Sequence, residues 1–103
     1  MTDARKIVVR YLADVNAQNR TDAATLICPE LVDTWRKAID GPNGDFTVTV
    51  THATFQSASS SSSGVDLKYS LEVKGIKTGS TAVNPVTFTI VAKAGGPKIC
   101  GEK

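Results

Sequence analysis

From Asp3 to about Gln18, Val8, Tyr11, Leu12 and Val15 recur at three- and four-residue spacing, which gathers them on one stripe of a helix. Asp3 suits the N-cap, and Asn16 and Asn19 mark the exit. Thr21 then predicts the cap of a short second helix through Asp22, Ala23, Ala24, Leu26 and Ile27, with its acid in the first turn where the dipole favours it. Proline is tolerated at a first helical position, so Cys28-Pro29-Glu30 predicts the start of a third helix. Its apolar stripe is Leu31, Val32, Trp35, Ala38 and Ile39, and Asp40-Gly41-Pro42 ends it, with Gly41 left-handed at C′.

After Gly44 the period becomes two. Phe46, Val48 and Val50 alternate with threonines, and then Ala53 and Phe55 carry the apolar residues on the other parity, which predicts a bulge or bend near His52. Val65, Leu67, Tyr69, Leu71 and Val73 alternate with Asp66, Lys68, Ser70, Glu72 and Lys74: one face buried, one wet. Val86, Phe88, Ile90 and Ala92 repeat the pattern after a turn expected at Asn84-Pro85, and Gly95-Gly96-Pro97 turns the chain into a short last strand at Lys98-Ile99-Cys100. The serine tract from Ser57 to Gly64 has nothing apolar to bury and is expected to be a mobile hairpin tip, with a second flexible connection from Gly75 to Ala82. Three helices followed by about four strands predict an α+β fold, with N-terminal helices packed on one face of a curved antiparallel sheet.

At 103 residues the chain is one domain, 1–103, with room for a single core. A net charge of +2, spread from Arg5 to Lys103 without a basic run, argues against nucleic acid as a partner, as do six dispersed aromatics. No apolar stretch approaches the roughly 18 to 20 residues that cross a bilayer, so membrane association is expected only through a segment outside this chain. Met1-Thr2-Asp3 runs straight into an amphipathic pattern with no signal peptide, which leaves open an export signal or anchor upstream.

Cys28 and Cys100 are the only cysteines. Paired, they would close a loop of about 70 residues and contribute about 4 kcal/mol by the chain-entropy account, and would put the domain outside a reducing compartment. Free and buried, they would behave as small hydrophobes. Two distant cysteines and one histidine do not supply a metal-ligand set, and no cofactor motif is present. Nor is there a nucleophile elbow, and Lys77-Thr78-Gly79 lacks the Ser-x-x-Lys that would give it catalytic meaning, so no catalytic residue is assigned. Asn19-Arg20-Thr21 fits a glycosylation sequon, too short a pattern to carry weight. His52 falls where the first strand changes parity, and a bulge can aim a side chain into a cleft; the alternative is a solvent-facing strand histidine. Tyr11 and Trp35 are either core or the lining of a helix–sheet pocket. Asp14 and Asp33 are expected on helix surfaces, with Arg10 and Asp14 as an i,i+4 pair.

The run Arg10-Tyr11-Leu12-Ala13-Asp14-Val15-Asn16-Ala17-Gln18, with Ala23, Ala24 and Leu26 after it, resembles the first helices of the nuclear transport factor 2-like superfamily. Leu26-Ile27-Cys28-Pro29 and Gly95-Gly96-Pro97-Lys98-Ile99-Cys100 are similar to actinobacterial extracytoplasmic members, including a domain family of unknown function once labelled lumazine-binding. The resemblance implies a cystatin-like cone, a pocket between helices and sheet, and a paired Cys28 and Cys100. It also implies two roles. One is a non-enzymatic extracytoplasmic module, part of a lipoprotein or membrane-anchored protein, that binds a small apolar ligand or a protein partner at a cleft near Tyr11, Trp35, His52, Tyr69 and Phe88. The other is an isomerase, dehydratase or cyclase using Tyr11 as hydrogen-bond donor; Cys28-Pro29 stands where those enzymes carry acidic residues, which argues against it. Homodimerisation through the sheet is a further implication, set against a Thr-rich, charged outer face.

Overall fold

The computed structural model describes residues 2–39, 41, 44–60 and 64–102. Its elements are helices α1 (Thr2–Ala17), α2 (Arg20–Thr25) and α3 (Val32–Ile39), then strands β1 (Val48–Ser60), β2 (Val65–Gly75), β3 (Thr81–Lys93) and β4 (Gly96–Glu102). The strands form one open antiparallel sheet in sequence order, and the helices pack on one face of it: an α+β fold.

Periodicity decides what is buried. Val8, Tyr11, Leu12 and Val15 of α1 meet Leu67, Tyr69, Leu71, Phe88 and Ile90 of the sheet in one core. Asp3 lies within the first turn of α1, which begins at Thr2, so it is not the cap. The exit of α1 is a left-handed Gln18 (φ 58°), whose amide donates to Val15 O at 3.1 Å while Asn19 N donates to Asp14 O at 2.8 Å. The cap of α2 is Asn19 rather than Thr21, its side chain accepting from Asp22 N at 3.1 Å. Pro29–Leu31 is a tight 3₁₀ turn, so α3 proper starts later than Pro29. Within the expected stripe only Ile39 is fully buried; Trp35 and Val32 are half-buried, and Leu31 and Ala38 are exposed. Gly41 does not take a left-handed conformation, and Asp40 and Pro42 lie outside the described residues.

Two register shifts in β1, between Val50 and His52 and between Phe55 and Ser57, produce the change of parity seen in the sequence. The serine tract begins inside the ladder: β1 runs to Ser60, paired with Val65, because β2 supplies partners for its backbone whatever the side chains; residues 61–63 lie outside the described residues. The connection after β2 is likewise a closed turn, with Gly79 N donating to Gly75 O and Gly75 N to Ser80 O, both at 2.9 Å. Asn84-Pro85 is not a turn but part of β3, opposite Leu71 and Ser70. Proline cannot donate to a ladder, and among the described residues β4 pairs with β3 no further along than Phe88.

Cys28 and Cys100 are joined by a disulfide, with Cα atoms 5.1 Å apart. A short parallel bridge aligns them: Ile99 N donates to Leu26 O at 2.7 Å and Cys28 N to Ile99 O at 3.0 Å. The bond fits an oxidising compartment.

Candidate functional site

All six aromatic side chains form one edge-to-face chain running Phe46, Trp35, Tyr11, Phe88, Tyr69, Phe55, with successive centroids 5.5 to 6.5 Å apart. Guanidinium groups close both ends, Arg20 over Phe46 at 4.9 Å and Arg5 over Phe55 at 4.1 Å. Four of the five residues read as cleft candidates, Tyr11, Trp35, Tyr69 and Phe88, therefore stand together. His52 does not join them. It pairs with Glu72 and is exposed, at a shallow depression between α1 and β1. Phe88 and Tyr69 are core, and the Tyr69 hydroxyl is buried without a hydrogen-bond partner.

Tyr11 and Trp35 border open space instead. Between α1 and the inner sheet face lies a cavity of about 380 Å³, walled by Leu12, Val15, Val48, Val50, Leu71 and Val73, with Tyr11, Asp45 and Glu102 as its ionisable lining. A second, more apolar groove of about 360 Å³ runs along α3, past Leu31, Trp35 and Ile99. Val86 and Glu102 line both, so the two spaces adjoin.

A polar relay ends the first cavity. Trp35 Nε1–H donates to the Tyr11 hydroxyl at 3.0 Å, and that hydroxyl donates to Asp45 Oδ2. Asp45 sits in a 3₁₀ turn, Asp45–Thr47, whose start at Gly44 is tightly constrained: a Cβ at Gly44 would overlap the backbone of Ala38 and Ile39. Glu102 comes from β4. Although the residue as a whole is exposed, protein crowds its carboxyl, and this desolvation together with a hydrogen bond to Asp45 pushes it up to about 9. Near neutral pH Glu102 therefore keeps its proton and donates it to Asp45. Burial, then the charges of Asp45 and Glu102, drive the Tyr11 hydroxyl far above the usual phenol range, so it stays a donor. Sequence reasoning missed both carboxylates. Asp45 follows an irregular glycine-containing connection, and the alternation of β4 alone would point Glu102 outward.

A second acidic contact joins α1 to α2. Arg10 pairs with Asp22, donating through Nε at 2.9 Å, and not with Asp14. Asp14 is buried rather than on the surface, and burial and the neighbouring Asp22 raise it to about 6. Arg10 holds Asp22 below the ordinary carboxylate range.

Compared with family models, with characterised proteins and with solved structures, the chain matches none of them.

Proposed function

We propose that this chain is a non-enzymatic binding module of the nuclear transport factor 2-like kind, working outside the reducing cytoplasm as part of a secreted, lipoprotein or membrane-anchored protein. Its ligand is a small, largely apolar molecule held between α1 and the sheet. The observation that carries the reading is the cavity of about 380 Å³, within the size range of small-molecule sites, with largely apolar walls and a few polar groups among them. Helices on one face of a four-stranded antiparallel sheet and the Cys28–Cys100 bond support the family and compartment parts of the reading.

Trp35 is the single tryptophan and donates to Tyr11 at the cavity wall, so ligand uptake is expected to change its emission. Titration with a panel of lipids and compact apolar compounds tests this. Saturable change with at least one of them supports binding; a flat response across the panel removes it.

A second reading, enone or dienol isomerisation, has one observation in its favour: Tyr11, Asp45 and Glu102 share one cavity, so a hydrogen-bond donor and carboxyl groups face the same space. Against it, the Tyr11 proton is already committed to Asp45. Turnover that collapses in Tyr11→Phe would establish this chemistry, and equal rates in the two proteins would remove it.

A further inference from the structure

The ionisable groups lining the cavity are two carboxyls and a phenol, and among its described lining residues none is basic. Asp45 and Glu102 reach this space from opposite directions, one from the turn before β1 and the other from the end of β4, and they meet beside the Tyr11 hydroxyl. Two acids elsewhere are matched by cations, Asp22 by Arg10 and Glu30 by Lys93 at 3.4 Å. Here the lining is largely valine and leucine, with Thr78, Ser80 and Asn84 as uncharged polar groups, and the acidic groups face the empty volume. A bare metal ion would use the carboxyls and leave that apolar wall without a partner. An anion would meet like charge.

We infer that the ligand of this cavity is a cationic amine with a compact apolar body, its ammonium seated between Asp45 and Glu102 and its hydrocarbon against Val48, Val50, Leu71 and Val73. The inference rests on the binding reading above and specifies its ligand class. The ammonium donates to the Asp45 carboxylate through a charge-assisted bond, stronger than a neutral one, and to the carbonyl oxygen of the protonated Glu102 carboxyl. Tyr11, itself held by Trp35, donates to Asp45, so the carboxylate is oriented before the amine arrives.

Three probes that share one apolar body test this: 1-adamantylmethylamine, 1-adamantanemethanol and 1-adamantanecarboxylate, each titrated against Trp35 emission near neutral pH. The amine is expected to bind at least about tenfold more tightly than the other two. In Asp45→Asn that preference is expected to vanish while the alcohol's affinity stays within about twofold. Asp45→Ser provides the same comparison should Asp45→Asn lose its cooperative thermal transition. Alcohol or carboxylate binding as tightly as the amine overturns the amine inference and leaves the binding module standing. Amine preference unchanged in the folded variants also overturns it. A saturable response to Ca²⁺ with none to the amine does the same, and no response to any probe or to the wider panel overturns both readings.

Discussion

Glu102 stands opposite Phe88 on the inner face of the sheet, three residues beyond Ile99, which faces Ile90 on that same face. In an unbroken strand two such residues would point to opposite sides. The register shift between Thr89 and Ile90 leaves Cys100 as the extra residue, and this bulge turns Glu102 inward while Cys100 reaches Cys28. The disulfide and the acidic end of the cavity are therefore products of one irregularity in β4.

That inward carboxyl sets a pH dependence. Glu102 titrates near 9 in the fold against 4.5 as its ordinary value, so the folded chain holds a proton that the unfolded chain releases. Its stabilising contribution is full below about pH 4.5 and is lost as pH rises toward about 9. Asp14, raised to about 6, acts with the same sign over a lower window. Urea midpoints are expected to fall between about pH 5 and pH 9 in the native sequence, and to fall less in Glu102→Gln. Identical slopes would show that Glu102 is not the group responsible.

Reduction tests the bond that shares this bulge. The enclosed separation of 72 residues predicts that Cys28→Ser with Cys100→Ser lowers the unfolding free energy by about 4 kcal/mol. Chemical denaturation of the double variant beside the oxidised protein measures it. A difference under about 1 kcal/mol would mean that the bond contributes little loop-closure stabilisation.

Tyr11→Phe removes the hydroxyl that accepts from Trp35 and donates to Asp45. Both partners then lose a hydrogen bond in a part-buried setting, with a cost of about 1 to 3 kcal/mol. The Trp35 emission maximum is expected to shift as Nε1–H loses its acceptor. Unchanged stability together with unchanged emission would contradict the relay.

Leu67→Ala and His52→Ala separate core from surface. Leu67 is fully buried opposite Phe88, and truncation is expected to cost about 2 to 5 kcal/mol. His52 is exposed on the wet face opposite Glu72, and its truncation is expected to stay within about 0.5 kcal/mol. A large loss from His52→Ala would place that side chain in a packing role that the fold does not give it.

The elements with strict periodicity were legible in the sequence. Val8, Tyr11, Leu12 and Val15 mark the buried stripe of α1, and Leu67, Tyr69 and Leu71 mark the inner face of β2, because burial itself imposes these spacings. The parity change before Ala53 correctly signalled a bulge. What failed was decided by partners distant in sequence. Ser57 to Ser60 is strand because β2 lies beside it, and Pro85 is strand because Ser70 of β2 stands opposite it. Asp14 is buried, and Arg10 pairs with Asp22 of the next helix instead. At the cavity, Tyr11 and Trp35 could be named from their stripes, whereas Asp45 and Glu102 meet only once a tight turn and a bulge have formed.

The Cys28–Cys100 bond also changes what a protease can accomplish. β1 to β3, β4 up to Ile99, α3 and the connections between the strands lie between the two cysteines, so a single backbone cut anywhere in that stretch opens a ring and leaves one covalent molecule. The two pieces would migrate together until reductant is added. A nick in a surface turn would leave the severed strands tethered, with the sheet still able to hold its shape.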